Sequence, residues 1–336
     1  MSADPATTTP GETPSVIWKT SGSVTFATAD GADLWLIEAN GGLDDPKASL
    51  VRISPSGATR VSTFPGRAFS PSADNDYVYL VVDNRIVRVG KHLPYEATTL
   101  RKGEVWPIGT AVDSGYVYFT NQTTQGLDGG PSNGKPGSVA KMKKGGDGFE
   151  RLSGMTARNL VLDADNVYFS SDTSVCAVSK HGGPVRTLVA DAGQSPDLAI
   201  DGDWLVYTRA HGVSRCNIKS AKIEALANDV DIPLFVAAAG GTTYLGANLA
   251  FQGPGKSAKP AEILRLRPGH TPECLWSGMN RLTSMVLAAG RIYFTVEPLD
   301  GTEGASLLRI DAGGRRGDSH DHTGVRWKVY TALNHK

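Results

Sequence analysis

The chain has 336 residues, of which 40% are hydrophobic and 20% charged, and its 34 basic residues balance 34 acidic ones. A net charge of zero provides no long-range field to recruit nucleic acid or an anionic membrane surface. No run of 18 apolar residues occurs, so no membrane span is predicted. The expected partners are therefore a small molecule or another protein, and we expect a monomer.

The chain opens on residues 1–14, which are rich in Ser, Thr and Pro and are predicted to be a disordered tail. This composition is similar to that of a tether left after removal of a signal or lipoprotein peptide, which predicts an extracytoplasmic protein that is secreted, periplasmic or lipid-tethered. A cytoplasmic location is expected instead if Met1 is the native start. The three cysteines, Cys176, Cys216 and Cys274, match neither a disulfide framework nor a metal knuckle and are predicted to be core residues.

One phrase recurs after the tail: a turn, often containing Asp, followed by a short apolar run with an aromatic residue. It reads DNDYVYLVV at 74–82, DSGYVYFTN at 113–121 and DADNVYFSS at 163–171. The aromatic positions have a mean spacing of 43 residues, and they are Trp35, Tyr79, Tyr118, Tyr168, Tyr207, Tyr244 and Tyr293. Seven units of this length fit in the chain and eight do not.

Each unit also repeats an internal order of four short strands. In the fourth unit these are ARNLVLD, NVYFSS, SVCAVSK and VRTLVAD, with turns at DADN and HGG. Four antiparallel strands repeated every 40 to 45 residues are typical of a β-propeller blade. The sequence therefore predicts an all-β, seven-bladed β-propeller as a single domain over residues 15–314.

The repeat resembles those of the broad group that includes NHL, WD-like and streptogramin-lyase-type propellers. ADLWLIE followed by SLVRISPSGATRVSTF, in the first unit, is the part most similar to the lyase-type repeat, and the Trp-Asp signature of true WD repeats is missing. The recurring VYF and GG turns are also similar to divergent propeller repeats of secreted myxobacterial-type proteins, a resemblance that implies no known activity.

A terminal strand is needed to close the ring, because the seventh unit leaves the repeat after its third strand, SLLRID. SVIWKTSG at 15–22 precedes the first inner strand as fourth strands do elsewhere, and we favour it as the closing strand. The alternative is GVRWKVYTAL at 324–333, within the C-terminal tail of residues 315–336. Either strand would cover an edge that otherwise templates aggregation.

The strand order places all turns on two faces of the ring. The turn face holds the first-to-second and third-to-fourth turns, and the loop-rich face holds the second-to-third loops and the blade-to-blade connections. The Asp-rich turns fall on the turn face, where we interpret the aspartates as turn formers that bond their own backbone rather than as calcium ligands. His92, His181 and His270 are predicted to be solvated residues of the same face.

The loop-rich face is predicted to carry the functional site, because its connections direct residues to the channel mouth and its long loops vary from blade to blade. Guanidinium groups bind carboxylates in a bidentate manner and an indole stacks on flat or apolar surfaces, so a small anionic or glycan ligand, or a protein partner, is expected there. The candidate ligand-binding residues are Arg67, Trp106, Arg158, Asn159, Asp197, His211 and Arg281.

Whether the protein is an enzyme stays open at this point. The sequence contains no GxSxG, HExxH or P-loop motif and no recognisable metal-ligand spacing, so no cofactor is expected. The alternative is a metal-assisted hydrolase or lyase, resembling propeller lactonases or streptogramin lyases, with calcium or magnesium at the channel mouth. Its candidate ligands would be Glu38, Asn121, Asn159 and Asp197.

Deletion of residues 1–22 is predicted to lower the melting temperature sharply, because the last blade would lose its outer strand and expose a sheet edge. Thermal unfolding followed by circular dichroism measures this effect. A melting temperature equal to that of the full chain would show that another segment closes the ring.

Overall fold

The computed structural model describes residues 13–42, 44–122, 137–194, 196–248, 259–299 and 304–313. Within these ranges the regular structure consists of 28 β-strands, arranged in seven four-stranded antiparallel sheets that correspond to the predicted blades. The described residues include no helix long and apolar enough to cross a membrane.

The first four blades begin and end near the repeat boundaries that the sequence predicted. Blade 1 contains β2 (Ser23–Asp30), β3 (Asp33–Asn40), β4 (Lys47–Ser54) and β5 (Gly57–Pro65). Blade 2 contains β6 (Ala68–Ala73), β7 (Tyr77–Val82), β8 (Arg85–Gly90) and β9 (Ala97–Arg101). Blade 3 contains β10 (Pro107–Val112), β11 (Tyr116–Asn121), β12 (Ser138–Lys143) and β13 (Glu150–Ser153). Blade 4 contains β14 (Leu160–Leu162), β15 (Asn166–Ser171), β16 (Ser174–Ser179) and β17 (Arg186–Val189).

The remaining blades repeat this order, except that the last blade takes a strand from the start of the chain. Blade 5 contains β18 (Leu198–Asp201), β19 (Trp204–Arg209), β20 (Gly212–Asn217) and β21 (Ile223–Asn228). Blade 6 contains β22 (Pro233–Ala239), β23 (Thr242–Ala247), β24 (Ala261–Leu266) and β25 (Glu273–Gly278). Blade 7 contains β26 (Arg281–Ala288), β27 (Arg291–Glu297), β28 (Ser306–Asp311) and β1 (Ser15–Lys19).

The N-terminal strand closes the ring, as the sequence predicted. β1 runs antiparallel to β28, with Ser15 opposite Arg309 and Lys19 opposite Ser306. The competing segment at 324–333 and the tail at 1–12 lie outside the described residues.

The aspartate of the repeated phrase makes two kinds of hydrogen bond in blades 2, 3 and 4. Its Oδ1 atom accepts two backbone N–H groups, which fixes the tight turn between the first two strands. Its Oδ2 atom accepts the hydroxyl of the tyrosine five residues later, at distances of 3.0 Å for Tyr79 to Asp74, 2.8 Å for Tyr118 to Asp113 and 2.6 Å for Tyr168 to Asp163. The predicted turn role is confirmed, and the tyrosine hydroxyl has a defined partner.

The aspartates at this position in blades 1, 2 and 3 also connect neighbouring blades. The residue that follows the third strand is a lysine in blades 2, 3 and 4, and it reaches back to the first turn of the preceding blade. Lys144 pairs with Asp74 at 2.6 Å, Lys180 pairs with Asp113 at 3.0 Å, and Lys91 pairs with Asp30. Lys91 and Lys180 are buried, which lysine tolerates only when its ammonium group has such partners. Ion pairs therefore hold blades 1 to 4 together at the turn face.

Blade 5 departs from the predicted alignment by one residue. Asp201 and Trp204 pair on either side of the turn between its first two strands. In the other blades the residue two positions after this pair is aromatic, whereas in blade 5 it is Val206. Tyr207 was expected to be in register with Tyr168, and this expectation is wrong because Tyr207 lies one step further along the strand and points to the other side of the sheet. Ile218 also takes the place of the lysine after the third strand, so Asp163 has no ammonium partner from blade 5 among the described contacts.

The stability of the Asp113 contacts predicts a specific pH dependence. Burial acts to raise the pKa of the Asp113 carboxyl, but hydrogen bonds from the Gly115 backbone, Lys180, the Tyr116 backbone and Tyr118 outweigh it and lower the pKa to about 2. Because the pKa in the folded state is depressed, the stabilisation is present above about pH 4 and is lost as the pH falls towards 2. The shift corresponds to about 2 kcal/mol.

Asp113→Asn is therefore expected to lower the free energy of unfolding by about 2 kcal/mol at pH 6, with a deficit relative to wild type that shrinks towards pH 2. Urea denaturation at a series of pH values measures this difference. Asp165→Asn, in an exposed turn position of blade 4, is the control and should change the free energy of unfolding at pH 6 by less than about 0.5 kcal/mol. A deficit that is constant from pH 6 to pH 2 would contradict the assignment.

Candidate functional site

Arg67 and Trp106 occupy the same position in two neighbouring blades. Each lies immediately before its inner strand, and its carbonyl oxygen accepts the N–H of the residue that follows the second strand, at 2.8 Å from Asp83 and 3.1 Å from Gln122. Both side chains are exposed on the loop-rich face, and the Trp106 indole is 43% exposed. The structure thus places these two predicted site residues where a ligand can reach them.

Trp106 is held in this position by an unusual backbone conformation. Its φ is +45°, in the left-handed region that non-glycine residues rarely adopt, and the following residue is Pro107. Ile232 has a φ of +46°, precedes Pro233 and is 42% exposed in the equivalent position of blade 6. Such strain is of the order of 1–3 kcal/mol and is typical of functional sites. Ile232 was missed by sequence reasoning, although its X-Pro step before an inner strand matches that of Trp106.

Asn159 and Asp197 are buried and make hydrogen bonds between blades. Asn159 Nδ2 donates to the Pro196 carbonyl oxygen at 3.0 Å, which joins blade 4 to blade 5. Asp197 Oδ2 accepts the Val236 N–H at 3.0 Å, which joins blade 5 to blade 6. The adjacent Arg158 is half-buried, and its carbonyl oxygen accepts the Thr120 hydroxyl at 2.6 Å. The side chains of Asn159 and Asp197, and the backbone of Arg158, thus contact neighbouring blades.

Two further residues, not selected from the sequence, make the same kind of bond. Asn248 Oδ1 accepts the Leu282 N–H at 3.2 Å, and Glu297 Oε1 accepts the Val24 N–H at 3.0 Å. The connections from blade 4 through blade 7 and back to blade 1 are therefore each fixed by one polar side chain. The signal in the sequence was an Asn or Glu at the end of the second strand, which only the register identifies.

The four alternative metal ligands are engaged with separate neighbours. Burial acts to raise the pKa of Glu38, but hydrogen bonds from Thr20, Arg60 and Asn40 outweigh it and lower this pKa. Asn121 Nδ2 donates to Glu104 at 2.7 Å and to Ser138 at 3.0 Å. Among the described residues, no group of three or more His, Cys, Asp or Glu side chains is placed to hold a metal ion. The carboxylates that calcium or magnesium would need are thus bonded to different partners.

His211 lies apart from the other candidates, in the exposed turn between β19 and β20. The hydrogen bond from Lys259 is the main cause that lowers the pKa of Asp231, and the charge of His211 makes a smaller contribution in the same direction. His211 therefore lies near the surface ion pair that Asp231 forms with Lys259. Within the described contacts, it joins none of the other predicted site residues.

Arg281 lines a cavity of about 240 Å³ between blade 7 and blade 1, which we call the seam pocket. Its guanidinium contacts Glu297, with Nη2 2.5 Å from Oε2. The residues that line the pocket are Ser21, Gly22, Ser23, Arg281, Glu297, Pro298, Leu299 and Gly304. The structure thus places the predicted site residue Arg281 in a defined cavity.

Asp197→Ala is expected to lower the free energy of unfolding by about 1–3 kcal/mol, because the buried Val236 N–H would lose its acceptor. Urea denaturation at pH 7 measures the loss. Asp231→Ala removes an exposed carboxylate and should change stability by less than about 0.5 kcal/mol. Unchanged stability in Asp197→Ala, combined with loss of ligand binding, would show that Asp197 contacts ligand instead.

Comparison with known proteins gives information on the fold alone. No family model matches the chain, and no curated protein sequence matches it. The resemblance to NHL, WD-like or lyase-type repeats therefore stays an interpretation of the sequence.

Solved structures do match. The β-propeller domain of the Trilobed protease from Pyrococcus furiosus aligns with a TM-score of 0.61 at 7% identity, covering 89% of this chain and 98% of that one. Acylaminoacyl peptidase from Pyrococcus horikoshii aligns with a TM-score of 0.60 at 10% identity, covering 92% of this chain and 52% of that one.

A third match is the extracellular domain of a B. thetaiotaomicron protein described as a hybrid two component system. It aligns with a TM-score of 0.59 at 10% identity, covering 88% of this chain and 39% of that chain, so this chain spans well under half of its length. At such low identity these matches show a shared β-propeller architecture.

Proposed function

We propose that the protein is a non-catalytic binding propeller that recognises its ligand at the loop-rich face. The observation that carries this proposal is how the polar groups of that face are distributed. Asn159, Asp197 and Glu297 are buried and bond the backbone of the next blade, whereas Arg67 and Trp106 are exposed. The two carboxylates, Asp197 and Glu297, are thus engaged in holding blades together, whereas the exposed guanidinium and indole are placed to contact a ligand.

The ligand class that these exposed groups favour is a small anionic or glycan molecule. The indole of Trp106 offers a flat apolar face for a sugar ring, and Trp106 is 43% exposed. The Arg67 guanidinium offers planar donors for a carboxylate or for paired hydroxyls. No cofactor is needed for this role.

A protein partner is the second candidate, and a specific observation favours it. Besides Trp106 and Ile232, three large apolar side chains are exposed in connections or loops of the same face: Met155 at 37%, Met279 at 55% and Leu299 at 51%. Exposed aromatic and methionine side chains are enriched at protein interfaces. This role uses the same face of the ring.

The rival proposal is a metal-assisted hydrolase or lyase. It is supported by Asn121 Oδ1 and Asn159 Oδ1, two buried oxygens for which the described part of the chain offers no hydrogen-bond partner. Metal analysis of protein purified without added metal separates the two proposals, since stoichiometric calcium, magnesium or zinc would favour the enzyme. We further propose an extracytoplasmic, monomeric protein, which the fold similarity to an extracellular domain supports.

The double variant Arg67→Ala, Trp106→Ala is expected to weaken ligand binding at least about 100-fold, because it removes both an aromatic contact and a charged donor. Binding to an array of neutral glycans, acidic glycans and small carboxylates identifies the ligand, and titration calorimetry measures the affinity. The control is Lys219→Ala, Lys222→Ala, which changes two exposed residues of the turn face. Equal affinity in wild type and the Arg67/Trp106 variant would refute this site.

A further inference from the structure

The seam pocket is built where the two ends of the ring meet. The Thr20 N–H donates to the Ala305 carbonyl oxygen and the Ala305 N–H donates to the Gly22 carbonyl oxygen, both at 3.0 Å. A Cβ atom on Gly304 would lie 1.8 Å from the Thr20 carbonyl oxygen, and one on Gly22 would lie 2.5 Å from Asn40 Oδ1. The walls thus come from backbone segments so close that only glycine fits, and they form only when blade 7 is joined to blade 1.

The polar groups of the pocket are electrically balanced. Arg281 and Glu297 form an ion pair, and Glu297 is buried with its second oxygen on the Val24 N–H. The Arg281 side chain lines the pocket and is 42% exposed, and its guanidinium carries further N–H donors besides the one bonded to Glu297. A bound anion would meet a neutralised arginine beside a carboxylate. A neutral ligand with several hydroxyl groups would find donors and acceptors without this repulsion.

The rest of the lining suits the same ligand class. Ser21 and Ser23 contribute hydroxyl groups, and Pro298 with the 51% exposed Leu299 provides an apolar wall for the C–H face of a ring. The volume of about 240 Å³ lies just under the ~300 Å³ at which pockets for drug-sized molecules begin. A single pyranose ring is of the appropriate size.

We propose that the seam pocket is a subsite for one neutral sugar ring, held by the Arg281–Glu297 pair and by Ser21 and Ser23 against Leu299. The inference rests on the proposed binding function and specifies a ligand class and a place for it. Because both sides of the seam form the walls, a bound sugar also stabilises ring closure by mass action.

The test uses the full chain with methyl glucopyranoside, methyl galactopyranoside and methyl mannopyranoside as neutral probes, and with glucuronate as the charged probe. Saturation-transfer NMR detects binding and calorimetry measures affinity. We expect at least one neutral glycoside to bind at least about tenfold more tightly than glucuronate.

Two variants change the pocket in different ways. Arg281→Lys keeps the charge but loses the planar donors, and Ser21→Leu fills the cavity without touching the ion pair. Each is expected to weaken neutral-sugar binding at least about tenfold. Arg215→Lys is the matched control, since Arg215 pairs with Glu224 at 2.6 Å on strands β20 and β21 of blade 5, away from the seam. Circular dichroism and melting temperatures show whether the variants are folded.

The outcomes separate this inference from the proposed function. If no neutral glycoside binds, or if binding survives in folded Ser21→Leu and Arg281→Lys, the sugar subsite is overturned, whereas the proposed function is still judged by the Arg67/Trp106 variant. Tighter binding of glucuronate, abolished by Arg281→Lys, would likewise overturn the neutral-sugar assignment. Loss of glycoside binding in both pocket variants, with the Arg215→Lys control intact, would establish it.

Discussion

The propeller depends on side chains that reach from one blade to the backbone or the charge of the next. A four-stranded blade cannot bury both of its surfaces alone, and its neighbours must be held at a fixed distance for their apolar faces to pack. On the turn face this is done by Asp–Lys pairs, such as Asp113 with Lys180, and on the loop-rich face by buried acceptors, such as Asp197 on the Val236 N–H. Both sets of contacts hold neighbouring blades at a fixed spacing, and both give buried polar groups their bonding partners.

The architecture could be predicted from the sequence because the four-strand pattern of a blade recurs seven times along the chain. The aspartate and the tyrosine five residues later recur with turn residues between them, so the tight turns and the strand order followed from local chemistry. Blade 5 shows the limit of this reasoning. Tyr207 looked equivalent to Tyr168, but Val206 occupies that position because the tyrosine lies one residue further from the first turn, and a shift of one residue reverses which side of a strand a residue occupies.

Less of the candidate site could be predicted from the sequence. The order of strands shows on which face of the ring a residue lies, but it does not show which residues that side chain contacts. Arg67 and Trp106 were correctly placed on the loop-rich face, where they are exposed. Asp197 and Glu297 carry the same functional groups as catalytic or metal-binding residues, yet they bond backbone N–H groups 39 and 273 residues away in the chain. Such long-range partners leave no local pattern that a single sequence displays.

The pairing of β1 with β28 has a consequence for how the ring is assembled. Ser15 must find Arg309, so the final sheet closes a loop of nearly the whole chain, whereas each earlier blade closes loops of a few tens of residues. Closure entropy grows only with the logarithm of loop length, so this adds about 2 kcal/mol over a local pairing. The larger effect is kinetic, since β1 leaves the ribosome before every other strand of the ring and stays without its partner until the seventh blade has emerged.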